Sequence, residues 1–164
     1  MEGWKRWPLL TSSPLQLVLI ERLQLTSNRL VGSIPDRIGQ LINLHTLGLG
    51  RNELTGTIPS TIGFLTELDT LGLESNNLHG TIPKEFGRLA SLELGYLDAN
   101  LLSGTVPRQL DGLAKIRKLN LASNKLTGVI HPKICSHLTN IETTDEPSIL
   151  STDCEVECDC CNRC

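Results

Sequence analysis

The chain is 164 residues long, 39% of its residues are hydrophobic, only 3% are aromatic, and its formal net charge at pH 7 is -3. This length suits a single domain, and the charge balance does not indicate a nucleic-acid-binding protein. The most apolar early run, Leu15 to Ile20, is far shorter than the roughly 20 residues that a membrane-spanning helix needs. We therefore expect no transmembrane segment in this chain.

Residues 1–14 form a leader that does not match the repeats that follow it. Lys5 and Arg6 precede only a short apolar run, so no clear signal peptide is seen. Trp4 and Trp7 could cover the first repeat, but this part of the chain has no cysteine-bonded cap, and an uncapped repeat array exposes apolar residues at its end. We interpret the leader as partly disordered, expect a longer natural N-terminus, and infer that this end could self-associate.

Residues 15–134 repeat with a period of 24 residues, in five units. Each unit has an asparagine, followed by a leucine two residues later, a glycine four residues later, and then an isoleucine or valine. A proline follows directly in the first four units and one residue late, at Pro132, in the fifth. A fixed period of this length indicates a stacked array of small units and not a globule with one central core. The asparagines are Asn28, Asn52, Asn76, Asn100 and Asn124.

The pattern LxxLxLxxNxLxGxIP, read at residues 44–59 and 68–83, resembles the plant-type leucine-rich repeat. The resemblance covers about residues 17–134, which is most of the chain. It implies an α/β fold: a right-handed solenoid with a parallel concave β-sheet and short helical turns on the convex side. It also implies that the concave face binds a protein or a peptide, since the family includes receptor ectodomains, co-receptors and inhibitors of secreted enzymes.

The spacing of the leucines predicts the strands. Leucines two residues apart, such as Leu71 and Leu73, point to one side of an extended strand, so we expect five strands with their leucines inside the solenoid, roughly 4.8 Å apart. The asparagine amides are expected to hydrogen-bond to the backbone of neighbouring turns. The prolines suit the first position of a helical turn, and we expect a positive φ where each turn ends, at Gly39, Gly63 and Gly87.

Strand residues that point away from the interior form the predicted concave binding face. Four acidic residues gather in units three and four around the only tyrosine, glycines leave a shallow floor beside them, and basic residues lie on the flank. An aromatic anchor among carboxylates could hold a basic peptide or loop. The alternative is the mixed charge of any solvated sheet face, because surface ion pairs are common and weak. The predicted partner-binding residues are Asp69, Gly72, Glu74, Glu93, Tyr96, Asp98, Arg117 and Lys118.

Unit four departs from the pattern, because Gly95 occupies a leucine column while Leu94 points outward by count. A glycine inside a strand often marks a bulge. Either the strand bulges and Leu94 turns inward, or a gap remains and Leu94 is exposed. We expect the simple register to fail here first.

A second ladder of hydroxyl side chains precedes the Ile-Pro pairs, at Ser33, Thr57, Thr81 and Thr105. Regular threonine rows bind ice in some repeat proteins. We expect these side chains instead to hydrogen-bond locally, at a turn or in a second short sheet.

Residues 135–164 hold all six cysteines and seven acidic residues, and we interpret them as a cysteine-rich C-terminal cap. Pairing Cys135 with Cys154 would fold the chain back over the open end of the array. Zinc is the alternative, but adjacent Cys160 and Cys161 suit one tetrahedral ion poorly, and we favour disulfides in an oxidising compartment. The end of the chain, DCEVECDCCNRC, resembles the cysteine cluster of microalgal leucine-rich-repeat proteins. The predicted disulfide cysteines are Cys135, Cys154, Cys158, Cys160, Cys161 and Cys164.

Catalysis is not predicted, because no nucleophile, base and oxyanion donor come together and the histidines lack paired spacing for a metal. We expect no enzyme activity, no cofactor and no bound metal. The predicted function is recognition of a protein or peptide ligand by a receptor-like or secreted module, extracellular or at the cell surface. The alternatives are an inhibitor of a secreted hydrolase and a structural cell-surface protein.

Overall fold

The computed structural model of the chain describes residues 19–134, 149–151 and 156–157. The leader and all six cysteines lie outside the described residues. The predictions of a partly disordered leader, of self-association through it and of disulfide bonds therefore concern parts of the chain that the structure does not describe.

Six short parallel strands form the main sheet, in chain order. They are β1 (Arg22–Gln24), β3 (Thr46–Gly48), β5 (Thr70–Gly72), β7 (Leu94–Tyr96), β9 (Lys118–Asn120) and β11 (Ile149–Ser151). Leu47 stands opposite Leu23 and Leu71, so neighbouring strands are offset by one repeat with no shift of register. This sheet is the predicted parallel sheet of a leucine-rich-repeat solenoid.

The sixth strand was not among the five that the repeats predict. In the sheet, Leu150 of β11 stands opposite Leu119 of β9. Leu150 therefore lies further along the chain than a 24-residue period after Leu119 would place it. The backbone of the C-terminal segment thus adds one more turn to the array.

A second set of strands lies on the other side of each turn. β2 (Val31–Ser33) pairs with β4 (Glu53–Thr55), and β6 (His79–Gly80), β8 (Leu101–Thr105), β10 (Lys125–Val129) and β12 (Val156–Glu157) form a four-stranded sheet. The ladder residues Ser33 and Thr105 lie within these strands. A second short sheet is therefore present at two of the four ladder positions. Local hydrogen bonding by the ladder hydroxyl groups stays a prediction.

In the described part of the chain, four 3₁₀ helices lie on the convex side: Asp36–Gln40, Ser60–Phe64, Lys84–Arg88 and Arg108–Gly112. Each follows a proline in extended conformation, with φ between -65° and -75°, because the fixed proline φ fits the entry to a helical turn. Each helix ends where a leucine N–H donates to the carbonyl three residues earlier. The Leu89 N–H, for example, donates to the Phe86 carbonyl at 3.1 Å, and the other three helices have the same bond at 3.0–3.1 Å. No helix in the described part of the chain has the length and apolarity to span a membrane.

The prediction of a positive φ at Gly39, Gly63 and Gly87 is wrong. A Cβ atom at Gly39 or Gly87 would overlap a backbone carbonyl oxygen of the next 3₁₀ helix, that of Thr61 or Gln109. Glycine stands at these positions because adjacent helices pack without room for a side chain. Positive φ occurs elsewhere, at Gly32, Gly56, Gly80, Gly104 and Gly128, and at the residue before each ladder asparagine.

The register does not fail in unit four, so that prediction is also wrong. Gly95 of β7 stands opposite Leu71 and Leu119 without a bulge. A Cβ on Gly95 would lie 3.0 Å from Leu119 Cδ1 and 3.6 Å from Leu92 Cδ2. The side chains of neighbouring leucines thus occupy much of the space that the missing one leaves.

The core is a continuous column of leucine and isoleucine side chains. Paired strand leucines such as Leu47 and Leu49 are fully buried, whereas Leu25 in the first unit is only partly buried. On the convex side, Phe86 fills the interior position of its 3₁₀ helix and is 0% exposed. Each unit therefore buries its apolar residues against the next unit.

Each of the later asparagines links its own turn to the preceding one. The Asn76 amide donates to the carbonyls of Leu73 and Leu49, both at 3.1 Å, and its Oδ1 accepts from the Leu54 N–H at 3.0 Å. Asn52, Asn100 and Asn124 make the same contacts one unit apart. Asn28 bonds only to its own turn among the described residues.

Candidate functional site

Two rows of side chains cross the concave face of the main sheet. One row is Arg22, Thr46, Thr70, Leu94 and Lys118, and the other is Gln24, Gly48, Gly72, Tyr96 and Asn120. Residues 94 and 96 lie on the same side of β7 because side chains alternate along a strand. Leu94 and Tyr96 are both half-buried, so this unit presents an apolar and an aromatic side chain together.

The four predicted acidic residues form two pairs, at opposite ends of the strands. Asp69 and Glu93 precede β5 and β7, and the Glu93 N–H donates to the Asp69 carbonyl at 2.8 Å. Glu74 and Asp98 follow the same strands, in the equivalent position of adjacent units. Five residues of extended chain separate the two pairs along a strand, roughly 16 Å. Tyr96 lies between them.

The pair before the strands is already neutralised in part. Arg117 Nη1 donates to Glu93 Oε2 at 3.5 Å, and the two side chains are 42% and 43% exposed. A pair as exposed as this one contributes little to stability. Breaking the contact between Arg117 and Glu93 should therefore cost little free energy.

Lys118 organises the aromatic residue. Its Nζ lies 5.2 Å from the centroid of the Tyr96 ring, within the range of a cation–π interaction. The predicted residues Tyr96 and Lys118 thus contact each other across β7 and β9.

Other side chains lie against the glycines of the concave face, Gly48, Gly50 and Gly72. A Cβ on Gly50 would overlap the Glu74 carboxylate, and one on Gly72 would lie 3.0 Å from Glu74 Oε2. The Gln24 side chain covers Gly48 in the same way. The Glu74 carboxylate therefore rests against the sheet and does not extend into solvent.

Glu74 and Asp98 form the most unusual part of this face. Glu74 Oε2 and Asp98 Oδ1 are buried and have no hydrogen-bond partner among the described residues. Burial raises the pKa of Glu74, and the nearby Asp98 charge raises it further, while Arg51 lowers it. Burial likewise raises the pKa of Asp98, against the effects of its own backbone N–H, Lys118 and Arg51. We call these two residues the carboxylate pair.

Two residues of this face were absent from the predicted site. Arg51 has a positive φ of 55° and its charge acts on both members of the carboxylate pair. Leu94 joins Tyr96 on the open face. Counting positions along the strand already placed Leu94 outward, but the unusual sequence of unit four obscured its role. The turn conformation of Arg51 has no sequence signal.

The described residues contain no group of three or more histidine, cysteine, aspartate or glutamate side chains that could hold a metal ion. His131 Nδ1 lies 2.6 Å from Asp111 Oδ2, at the convex end of the array and away from the concave face. The cysteines that were weighed as zinc ligands lie outside the described residues.

A sequence model described as Leucine rich repeat matches residues 18–78 and 66–126. The ectodomain of the Arabidopsis thaliana receptor kinase GASSHO1/SCHENGEN3, in complex with CASPARIAN STRIP INTEGRITY FACTOR 2, is 36% identical with a TM-score of 0.70, over 80% of this chain and 15% of that one. A chain of the Arabidopsis thaliana BIR3–SERK2 complex is 33% identical with a TM-score of 0.70, over 87% of this chain and 72% of that one.

A plant ice-binding protein is 34% identical with a TM-score of 0.66, over 71% of this chain and 38% of that one. No curated protein sequence matches the chain. The chain spans only a small part of the GASSHO1/SCHENGEN3 ectodomain and most of the BIR3–SERK2 one. The repeat period, the parallel sheet, the asparagine ladder and these matches agree, and the chain belongs to the leucine-rich-repeat family.

Proposed function

We propose that this chain is a protein- or peptide-binding module of a receptor-like or secreted protein. Its concave face recognises a ligand segment that presents a basic side chain. The observation that supports this proposal most directly is the carboxylate pair, whose buried oxygens have no hydrogen-bond donor among the described residues.

A ligand ammonium or guanidinium group would supply the missing donors. Charge-assisted hydrogen bonds to carboxylates are stronger than neutral ones, and Arg suits two neighbouring carboxylates because its donors form a rigid fork. Tyr96 and Leu94 beside the pair offer apolar contact area for the rest of the segment, as aromatic anchors do at many interfaces. The positive charge of Arg51, which acts on both carboxylates, would compete with the cation of the ligand.

The structural relatives support this class of function. The GASSHO1/SCHENGEN3 ectodomain was solved with a bound factor, and BIR3 and SERK2 form a complex with each other. Both relatives thus bind other polypeptides. The proposal for this chain still rests on its own residues, because it covers only part of the first of these proteins.

The proposal is tested with an array of random 15-residue peptides probed by the labelled protein. Wild-type protein is expected to select peptides rich in Arg and Lys. The variant Glu74→Gln with Asp98→Asn is expected to lose that selection, whereas the control Asp36→Asn with Glu67→Gln removes the same charge from exposed positions off this face and keeps it. Selection that persists in the first variant, or disappears equally in the control, would contradict the assignment.

We also propose an extracellular or cell-surface location with disulfide-bonded cysteines in the C-terminal cap of residues 135–164. The support is the density of cysteines, which is typical of oxidising compartments, and the membrane-receptor origin of the GASSHO1/SCHENGEN3 relative. Intact mass spectrometry with and without reduction tests it. If three disulfides are present, the unreduced protein should be lighter than the reduced protein by six hydrogen atoms. Free thiols that take up zinc would contradict the proposed location.

Ice binding is a second candidate, favoured by one specific observation. Thr57, Thr81 and Thr105 are exposed, one in each repeat, and the methyl group of each faces the positive-φ glycine of the next repeat. The 34% identity to a plant ice-binding protein supports testing this row of threonines for ice binding. An ice-recrystallisation assay of wild-type protein and of Thr81→Lys decides it: inhibition that the substitution abolishes supports ice binding, and no inhibition by the wild type removes the candidate.

A further inference from the structure

We propose that the convex side carries a second binding site, one that takes an anionic polysaccharide. The site lies between the 3₁₀ helices Lys84–Arg88 and Arg108–Gly112. It is on the opposite side of the solenoid from the carboxylate pair. We call it the convex groove and define it by Lys84, Glu85, Arg88, Arg108 and Gln109.

The convex groove has two parts that share lining residues. A larger part of about 690 Å³ is lined by Lys84 and Arg108, and a smaller part of about 280 Å³ is lined by Lys84 and Arg88. Glu85 and Gln109 line both parts. Four residues along a 3₁₀ helix, from Lys84 to Arg88, span roughly 8 Å. Arg108 lines only the larger part and Arg88 only the smaller one. Each part thus has a cation of its own, which suits a ligand with at least two anionic groups.

The charges of the convex groove are unbalanced. Lys84, Arg88 and Arg108 are exposed, and Glu85 is the one acidic residue among the lining residues. The ion pairs found in the described part of the chain involve other residues, so none of these three cations is in one. An anionic ligand would therefore meet cations that need not break an existing pair first.

The groove wall favours a polysaccharide over an acidic peptide. Pro83 and Pro107 line it, and proline has no backbone N–H to donate to a peptide carbonyl. A flexible peptide would lose conformational freedom on binding with no backbone hydrogen bond there in return. A stiff sugar chain loses less freedom and holds its anionic groups at fixed spacing.

Dextran sulfate is the probe, and isothermal titration calorimetry measures its affinity against neutral dextran. The variant Lys84→Gln, Arg88→Gln, Arg108→Gln is expected to bind about tenfold more weakly at low salt, with a smaller salt dependence, because fewer counterions are released. The control Arg22→Gln, Arg29→Gln, Lys125→Gln removes the same charge from exposed positions away from the groove. It is expected to bind like the wild type.

A second variant, which should bind dextran sulfate more tightly, distinguishes loss of the site from misfolding. Glu85→Gln removes the acid of the groove and is expected to tighten dextran sulfate binding about twofold to fivefold. Equal losses in the groove variant and its control, or no change in either, would overturn the site. Polyglutamate that binds as tightly as dextran sulfate through the same three cations would overturn the choice of a polysaccharide. The variant Glu74→Gln with Asp98→Asn is expected to bind dextran sulfate normally, which separates this site from the concave one.

Discussion

At the scale of single residues, one side-chain type connects the repeats. Each central asparagine donates to carbonyls of its own turn and of the preceding turn, and accepts from a leucine N–H of the preceding turn. These backbone groups lie in the interior, where water cannot replace a lost partner. The need for an amide that both donates and accepts explains why asparagine recurs without exception along the array.

Asn76→Ala is therefore expected to lower the free energy of unfolding by about 1–3 kcal/mol, the cost of leaving buried backbone groups without partners. The neighbour Asn77 is exposed, and Asn77→Ala serves as the control with a cost near zero. Urea unfolding followed by circular dichroism measures both. Equal stability of the two variants would contradict the structural role of the ladder.

The carboxylate pair makes a prediction about pH. Because burial raises the pKa of Glu74 above its ordinary value of 4.5, the folded state binds this proton more tightly than the unfolded state does. The associated stability is fully present below the ordinary pKa and is lost as the pH rises through the raised pKa. Glu74→Gln should remove that loss, so its melting temperature should rise relative to the wild type as pH increases from about 4.5 upward.

Glu67→Gln, at an exposed site, is the matched control and should leave the pH profile of the melting temperature unchanged. If the melting temperature of Glu74→Gln changes with pH in parallel with that of the wild type, burial does not disfavour the ionised form of Glu74. A stabilised variant that has lost peptide selection would identify Glu74 as a residue that binds at some cost to stability.

At the scale of elements, the sequence predicted the strands well and the turns less well. The two-residue spacing of leucines placed five strands of the main sheet because burial on one side enforces that spacing. The spacing cannot show φ angles, so glycines of two kinds were confused: those with positive φ, such as Gly80, and those that permit close packing, such as Gly87. The strand Ile149–Ser151 was missed because it lies off the 24-residue period.

Gly87→Ala tests the close-packing explanation. The added methyl group would overlap the Gln109 carbonyl, and overpacking of this kind costs about 1–3 kcal/mol. Gly32→Ala is the comparison, because nothing lies within 4 Å of a Cβ there and only its φ of 87° opposes the change. Hydrogen exchange should show weakened protection of both flanking 3₁₀ helices in Gly87→Ala and only local loss in Gly32→Ala. Unchanged protection around Gly87 would contradict close packing.

The candidate site was predictable only in outline. Counting outward positions along the strands identifies Tyr96, Lys118 and the four acids, because alternation fixes which side chains leave the interior. Counting cannot show that the acids separate into two pairs, or that Glu74 folds onto Gly50. Those features depend on side-chain conformations and on contacts between units, which no single repeat encodes.

At the scale of the whole molecule, stability is shared among neighbouring units, because each buries its apolar side chains against the next. A defect in a central unit should therefore weaken the connection between the two halves. Phe86→Ala removes a fully buried ring from the third 3₁₀ helix and is expected to cost about 3–5 kcal/mol. Phe64 occupies an adjacent helix but is 54% exposed, so Phe64→Ala should cost far less.

Urea unfolding combined with hydrogen exchange distinguishes the outcomes. In Phe86→Ala the loss of cooperativity is expected to appear as a second transition, with the two halves of the array exchanging at different denaturant concentrations. A single transition with the same midpoint as Phe64→Ala would contradict nearest-neighbour stacking as the basis of stability.

The carboxylate pair and the cations of the convex groove lie on opposite sides of the same units. Glu74 and Asp98 belong to the turns that precede and follow the helix of Lys84 and Arg88. The arrangement would let one rigid array hold a basic segment on one side and a polyanion on the other. Neither site requires the other to be filled.

One measurement tests the central claim most directly: the peptide-array profile of the wild type beside that of Tyr96→Ala with Asp98→Lys. This change removes the aromatic anchor and reverses one charge of the carboxylate pair, and neither residue belongs to the apolar core. We expect the selection of Arg- and Lys-rich peptides to be abolished and circular dichroism to remain that of the wild type. A folded variant with an unchanged profile would show that ligand recognition does not depend on this part of the concave face.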